Sequence, residues 1–358
     1  MRRASCVAAV IVACGLLTPT MSHARASAPA VSDLVRTYAA TNAFSGTVLV
    51  DRGGETLVFE SFGQAERAFG TPATNATRYR IASITKLFTA TLILQLVDRG
   101  QVDLQAGIAT YLPDYMGDPR ITVHTLLNHT SGLPNPDAGA DPAKGVPLYQ
   151  LPHTLDDVVR EYASGAAVHD PGTRWDYNNA DYFVLGQIIE AVTGQPYADV
   201  LKQRILDPLG LKDTGMARHS DIVQGLAVSY FRMGDDQPLG ADLPVYHENW
   251  FAAGAMYSDA DDLLAFSNAF HDGDLFSEES LTRALTPGLE DNGYGLFVWD
   301  LDHRGRTYHT TVRFGGIMGA NAVIYRVRET DLTIIILANT NLVDMGSFAR
   351  RIAEGALE

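Results

Sequence analysis

Strand-forming patterns sit near the two ends of this 358-residue chain and thin out in between, and that split constrains the fold more than any single motif. Near the front, residues 31–40 have helical spacing. They lead into Ser45-Gly46-Thr47-Val48-Leu49-Val50-Asp51-Arg52-Gly53-Gly54, which reads as a strand closed by a Gly-Gly turn, with a second strand near residues 56–62. Towards the back, residues 294–300, 307–312, 320–326 and 332–338 read as strands before a final helix near 345–355. From Leu104 to about Asn249 the pattern is helical, broken by Pro and Gly. Its clearest helix spans 180–193, with Asn178 or Asn179 able to cap it and Gly194 able to close it. The sequence carries no internal repeat and no low-complexity linker. A sheet drawn from both chain ends must enclose the middle as an insertion. The expected fold is therefore α+β, with a sheet domain from residues 31–105 plus 250–358 and an inserted, mostly helical domain from 106–249. A cleft between two such domains is the expected place for a site.

The first residues follow a different logic. Met1-Arg2-Arg3, an apolar run over 4–17 and then Ser22-His23-Ala24-Arg25-Ala26 match a secretion signal with cleavage after Ala24 or Ala26, so residues 1–26 are set apart from the fold. The expected location is periplasmic or secreted. Ile11-Val12-Ala13-Cys14 forms a loose lipobox, so the alternative is a lipid anchor at Cys14. Cys6 and Cys14 are the only cysteines, and both fall in that segment, which leaves an exported chain to be held by its core without disulfides. Loss of Arg2, Arg3 and Arg25 would take the net charge from −15 to −18, which argues against nucleic acid and acidic membrane surfaces as partners. No later apolar run approaches the ~20 residues of a membrane-spanning helix.

One stretch asks for chemistry. Residues 82–99 read as a helix apolar on more than one face, stopped by Gly100, and its start holds Ser83-Ile84-Thr85-Lys86. Lysine is scarce here: Lys86, Lys144, Lys202 and Lys212 are the four in the chain. Residues i and i+3 share a helix face, which brings the Ser83 hydroxyl and the Lys86 amine within hydrogen-bond reach. A lysine desolvated in an apolar helix loses pKa and can take a proton from serine, which arginine cannot do. The helix N-terminus would favour negative charge developing on a carbonyl oxygen under attack. Ser-x-x-Lys is a short pattern that also occurs by chance. It gains weight from Pro171-Gly172-Thr173-Arg174-Trp175-Asp176-Tyr177-Asn178-Asn179, a turn leading to Tyr-x-Asn before a helix. A phenol beside a lysine cation can ionise below ~10 and relay protons, while an amide can orient the amine. The plainer alternatives are a half-buried Tyr177 and an N-capping Asn179.

These stretches, with Ile121-Thr122-Val123-His124-Thr125-Leu126-Leu127-Asn128-His129-Thr130-Ser131-Gly132-Leu133-Pro134, Asp207-Pro208-Leu209-Gly210-Leu211, Phe251-Ala252-Ala253-Gly254-Ala255-Met256-Tyr257-Ser258 and Tyr294-Gly295-Leu296, resemble the serine β-lactamase superfamily. The likeness runs in order along nearly the whole chain after the signal. It is to the branch of class C β-lactamases, D-alanyl-D-alanine carboxypeptidases and β-lactamase-like esterases. The resemblance implies an antiparallel sheet flanked by helices. It also implies that Ser83 is acylated, that Lys86 coupled to Tyr177 moves its proton, and that Asn179 orients Lys86 and the substrate. The family's Lys-Thr-Gly or His-x-Gly element is replaced at its best-placed match by Arg313-Phe314-Gly315-Gly316. Arg313 would keep a positive charge for a substrate carboxylate or for an ionised Tyr177, but cannot shuttle a proton. Its alternative is a surface strand arginine with an acidic partner. Gly315 and Gly316 are assigned to substrate approach, with Gly316 supplying an oxyanion N–H opposite that of Ser83.

His271-Asp272-Gly273 and His303-Arg304-Gly305 fit the short His-x-Gly pattern, but the first lies in a helical stretch and the second in an apparent hairpin turn. His129 reads as structural, and Trp175 and Trp250 read as packing residues before cleft residues. His247-Glu248 lacks the second histidine of a zinc-protease helix, and neither Gly-x-Ser-x-Gly nor a phosphate loop occurs, so no metal or cofactor is expected. The reading is an exported serine hydrolase acting through an acyl-enzyme on a small-molecule or short-peptide substrate. An esterase or D-amino-acid peptidase is favoured over a β-lactamase. The rival is a binding or sensor protein that acylates slowly or only holds a peptidoglycan fragment.

Overall fold

The computed structural model describes residues 28–137 and 147–358, so the expected signal and both cysteines lie outside the described residues. A six-stranded, wholly antiparallel sheet forms the centre of the molecule. It is built from β1 (Gly46–Arg52), β2 (Glu55–Phe62), β3 (Phe297–His303), β4 (Arg306–Ile317), β5 (Ala320–Val327) and β6 (Leu332–Ala338). The spatial order is β3-β4-β5-β6-β1-β2, so the first strand of the chain pairs with the last. Gly53 and Gly54, both at positive φ (56° and 88°), make the turn between β1 and β2.

β1 and β6 are buried along their whole length because helices cover both faces of the sheet. Alternation then sorts their side chains. Val48, Val50, Ile334 and Ile336 pack with the N-terminal helix α1 (Ala28–Thr41) and the C-terminal helix α5 (Met345–Ala356), while Leu49, Ile335 and Leu337 join the larger core around α2 (Thr85–Asp98). In α2 every residue from Thr85 to Leu96 is buried, which is why its sequence shows no polar stripe. Helices α3 (Asn179–Thr193) and α4 (Ala260–Asp272) belong to the same core. Asn178 caps α3 by accepting the amide of Ala180 at 2.9 Å, and Gly194 at φ 67° closes it.

Three differences from the sequence reading matter for the site. The helix expected from Ala82 begins as a 3-10 turn, Ala82–Ile84, with Ala82 at φ 44°, and becomes α-helical only at Thr85. The strand expected at 294 begins at Phe297, because Gly295 at φ 77° turns the chain against the backbone of Lys86 and Leu87. The strand expected to stop at 312 runs on to Ile317, while the last residue pairing with β3 is Val312. Residues 313–317 therefore have β5 on one edge and, among the described residues, no strand on the other. In addition, a short hairpin, Tyr230–Phe231 with Gly240–Ala241, interrupts the middle of the chain where the pattern is otherwise helical.

Gly315 is where β4 presses on the turn that carries Ser83. A Cβ there would lie 2.1 Å from the carbonyl oxygen of Ile81, a backbone atom with no freedom to swing away. Gly315→Ala should destabilise the fold by ~1–3 kcal/mol and displace Ser83 as the turn yields. Thermal denaturation alongside activity checks this, and a variant as stable and active as the parent would show the contact to be slack.

Candidate active site

Ser83 stands on the 3-10 turn at the mouth of α2, and three elements distant in sequence converge on it. Its Oγ is 2.6 Å from the Tyr177 hydroxyl and accepts a hydrogen bond from Lys86 Nζ at 3.2 Å. Lys86, fully buried, also donates to Asn179 Oδ1 at 2.7 Å and to the carbonyl of Ala253 at 2.8 Å, and lies 4.8 Å from the centre of the Tyr177 ring. With Asn178 serving as the cap, Asn179 at the first helical position is free to face Lys86. The i, i+3 spacing and the Tyr-x-Asn turn thus meet at one point.

Arg313 is no surface residue. It is 2% exposed, donating from Nε to the carbonyl of Ser83 at 2.7 Å and from Nη2 to the Tyr177 hydroxyl at 3.2 Å. Both bonds serve the site itself, so the guanidinium braces the turn that carries Ser83 and holds a positive charge beside the phenol oxygen. Gly316 lines the cleft beside Ser83, on the edge of β4 that no strand covers. Gly315, expected there with it, packs against Ile81 instead and serves close approach of two backbones.

The electrostatics follow from burial and from two cations. Burial lowers Lys86 to about 8, with Arg313 adding repulsion, while Tyr177 and Asp137 pull the other way. Burial by itself would raise Tyr177, but the charges of Lys86 and Arg313 and hydrogen bonds from Lys86 and Ser83 outweigh it and bring the phenol down to about 8. Two proton-exchanging groups on one hydroxyl are thereby poised near neutrality, and they titrate as a pair.

Beneath Tyr177 lies a second buried group. His129 Nδ1 is 2.8 Å from Asp181 Oδ2, Ser131 donates to the other carboxylate oxygen, and the His129 and Tyr177 rings are 4.6 Å apart. Burial pushes His129 well below and Asp181 well above their usual ranges, so the pair carries little charge. His129 supports the tyrosine from behind, in keeping with a structural role. His271 lies inside α4, bonded to Ser267 and Thr311, and His303 ends β3 before the turn, so neither takes the place of Arg313. Among the described residues no group of three or more His, Cys, Asp or Glu side chains is placed to hold a metal, and no helix is long and apolar enough to cross a membrane.

A cleft of about 560 Å³ opens over Ser83, Tyr177, Asn179, Arg313 and Gly316. Some of its lining has no signature in the sequence. Asp137 accepts from Asn179 Nδ2 at 2.6 Å and from the Tyr149 hydroxyl at 3.2 Å, which fixes the Asn179 amide with its oxygen towards Lys86. Trp250, read as packing, does both: it stacks on Tyr149 with ring centres 3.6 Å apart and also faces the cleft. Trp175 packs near Phe297, their centres 6.1 Å apart.

A sequence model of the family described as Beta-lactamase matches residues 31–357. The chain belongs to the beta-lactamase family. Within it, the chain is 31% identical to Esterase EstB of Burkholderia gladioli over 339 residues, covering 82% of this chain and 85% of that protein. It is 31% identical over 256 residues to the putative penicillin-binding protein PbpX of Bacillus subtilis, covering 71% of this chain and 62%, less than two thirds, of that relative. Among solved structures, the D-amino acid amidase of Ochrobactrum anthropi SV3 superposes with a TM-score of 0.76 at 26% identity, covering 91% of this chain and 98% of that one. A penicillin-binding protein from Bacillus halodurans gives 0.77 at 27% identity, covering 90% and 100%.

Proposed function

We propose that this protein is a serine hydrolase that forms an acyl-enzyme on Ser83, acting on an ester or on a D-amino-acid amide or peptide. The observation that carries the reading is the double hold on one hydroxyl, with Tyr177 Oη at 2.6 Å and Lys86 Nζ at 3.2 Å from Ser83 Oγ. Ser83 Oγ attacks the substrate carbonyl carbon as its proton passes to the Tyr177–Lys86 pair. The carbonyl π electrons move onto oxygen, where the N–H groups of Ser83 and Gly316 receive the charge. The pair then returns the proton to the leaving alkoxide or amine, the bond to it breaks, and Ser83 is left acylated. Water, deprotonated by the same pair, releases the acid and restores the hydroxyl. Every proton in this cycle runs through Tyr177 and Lys86, the two groups that hold the Ser83 hydroxyl, while Arg313 is bonded to the Ser83 carbonyl and braces the turn.

Relatives named as an esterase and a D-amino acid amidase support the reaction class, and the signal-like residues 1–26 support a place outside the cytoplasm. The replacement of Lys-Thr-Gly by Arg313-Phe314-Gly315 favours these over β-lactam hydrolysis. The test is turnover of a short-chain nitrophenyl ester, a D-amino-acid amide, a D-alanyl-D-alanine peptide and a chromogenic cephalosporin by the purified protein. Turnover of the ester or the amide is expected. Stable covalent labelling without turnover would point instead to a slowly deacylating binding protein.

A further inference from the structure

The cleft over Ser83 has one chemically uniform side. Trp250, stacked flat on Tyr149, lines it together with Phe231, Leu243, Val245, Phe314 and Met318. Among the described lining residues two are acidic or basic, Asp137 and Arg313: Arg313 is bonded to the Ser83 carbonyl and the Tyr177 hydroxyl, and Asp137 Oδ2 accepts from Asn179 and Tyr149 while its Oδ1 has no partner. Arg313 is almost fully buried, so it does not present its charge to a substrate as a surface cation would.

The apolar wall is anchored rather than loose. The residues of the short hairpin and its flanks are tied to the end of β6 by Tyr230 N to the carbonyl of Asn339 (2.9 Å) and by Arg232 N to Asn341 Oδ1 (2.8 Å). On the other side Gly319 N, at the β4–β5 turn, donates to Asp242 Oδ1 at 3.0 Å, and a Cβ on Gly319 would fall 2.3 Å from the Tyr230 carbonyl oxygen. Phe231 and Leu243, the chain neighbours of Tyr230 and Asp242, are thus held near the β4–β5 turn and line the same cleft as Gly316.

We propose that this wall is a preformed subsite for an uncharged apolar group attached on one side of the scissile carbonyl, and that the cleft discriminates against substrates ending in a free carboxylate. The inference rests on the serine-hydrolase reading and narrows its substrate class to apolar esters and amides. An apolar group entering the subsite gives up contact with water without leaving a polar partner unpaired, whereas a carboxylate would be desolvated with no free cation among the described lining residues to meet it.

The experiment varies each side of the ester separately. Nitrophenyl acetate, butyrate and octanoate change the acyl group, ethyl and hexyl butyrate change the alcohol, and a D-alanyl-D-alanine peptide supplies the carboxylate. In parallel, the same unreacted esters are titrated into Ser83→Ala protein and read by tryptophan fluorescence. Along one of the two series, kcat/KM and affinity should both rise by roughly tenfold or more with chain length, at up to a few-fold per methylene. Leu243→Gln should lose most of that gain, flattening the dependence of kcat/KM and affinity on chain length, since the longer chains are the ones that reach the wall. Flat profiles in both series, equal loss of all substrates in Leu243→Gln, or peptide turnover matching the best ester would overturn the proposal. Chain-length-dependent binding without ester turnover would keep the subsite and sink the hydrolase reading, so the two fail separately.

Discussion

Ser83→Ala should lower kcat/KM by roughly 10⁴-fold or more for whichever substrate the protein turns over, and should abolish any acyl adduct seen by intact mass. Ser83 Oγ is the hydroxyl on which Tyr177, Lys86 and the N-terminal turn of α2 converge. The substitution leaves the turn, Arg313 and the Gly316 edge in place, so substrate still binds and any residual rate reports polarisation alone. Stability should change by ~1 kcal/mol or less, because Tyr177 keeps its bond from Arg313. A variant retaining more than a few per cent of activity, or an adduct on a different residue, would remove Ser83 from the role proposed for it.

Lys86→Met should cost nearly as much, roughly 10³-fold or more, and should move the pH profile in a defined direction. In the parent, activity should rise with pH through the first ionisation of the Tyr177–Lys86 pair, near 8, since the pair must have given up one proton to accept the serine's. Methionine fills the space of the lysine chain and removes its charge. Burial, which raises the Tyr177 phenol, is then opposed chiefly by Arg313, so the phenol pKa goes up and the ascending limb moves to higher pH. Asn179 Oδ1 and the Ala253 carbonyl lose their donor, at ~1–3 kcal/mol for each buried acceptor left unpaired, partly offset by no longer burying an ammonium. Pre-steady-state acylation and phenol absorbance against pH separate the two effects. Normal acylation rates would dispose of the mechanism. A limb that stays in place or shifts to lower pH would show that Lys86 does not set the ionisation of Tyr177.

The sequence was most informative where a local rule and a chemical need coincide. Ser83 and Lys86 are three apart on one apolar helix, and a buried lysine among so few lysines asks for a reason that only its amine supplies. The cap and stop of α3 were equally legible, since Asn178 and Gly194 act through their own neighbours in the chain. The motif order also carried the family. Other features were invisible because their cause is non-local. Asp137 and Tyr149 matter through their contacts with Asn179 and, for Tyr149, with Trp250, in a segment with no periodic signal. Gly315 and Gly316 read alike as adjacent glycines, yet alternation along β4 turns one onto Ile81 and the other to the cleft. The wall residues Phe231, Leu243 and Val245 look like ordinary loop apolars until the hairpin docks beside the β4–β5 turn.

What the sequence by itself determined, then, is the spacing that puts Ser83 and Lys86 together, the elements of the sheet at both ends, and the Tyr-x-Asn turn before α3. What only the tertiary structure decided is their meeting. Tyr177 is 94 residues from Ser83 and Arg313 is 230 residues from it, and the charges that bring the phenol and amine to a common ionisation range act through space. Coulomb interaction and desolvation depend on distance and burial, neither of which a one-dimensional pattern contains. The same holds for Arg313. From sequence it was equally a surface strand arginine or a site residue, and its burial against the Ser83 carbonyl comes from β4 running past the end of β3 and packing on the turn of α2.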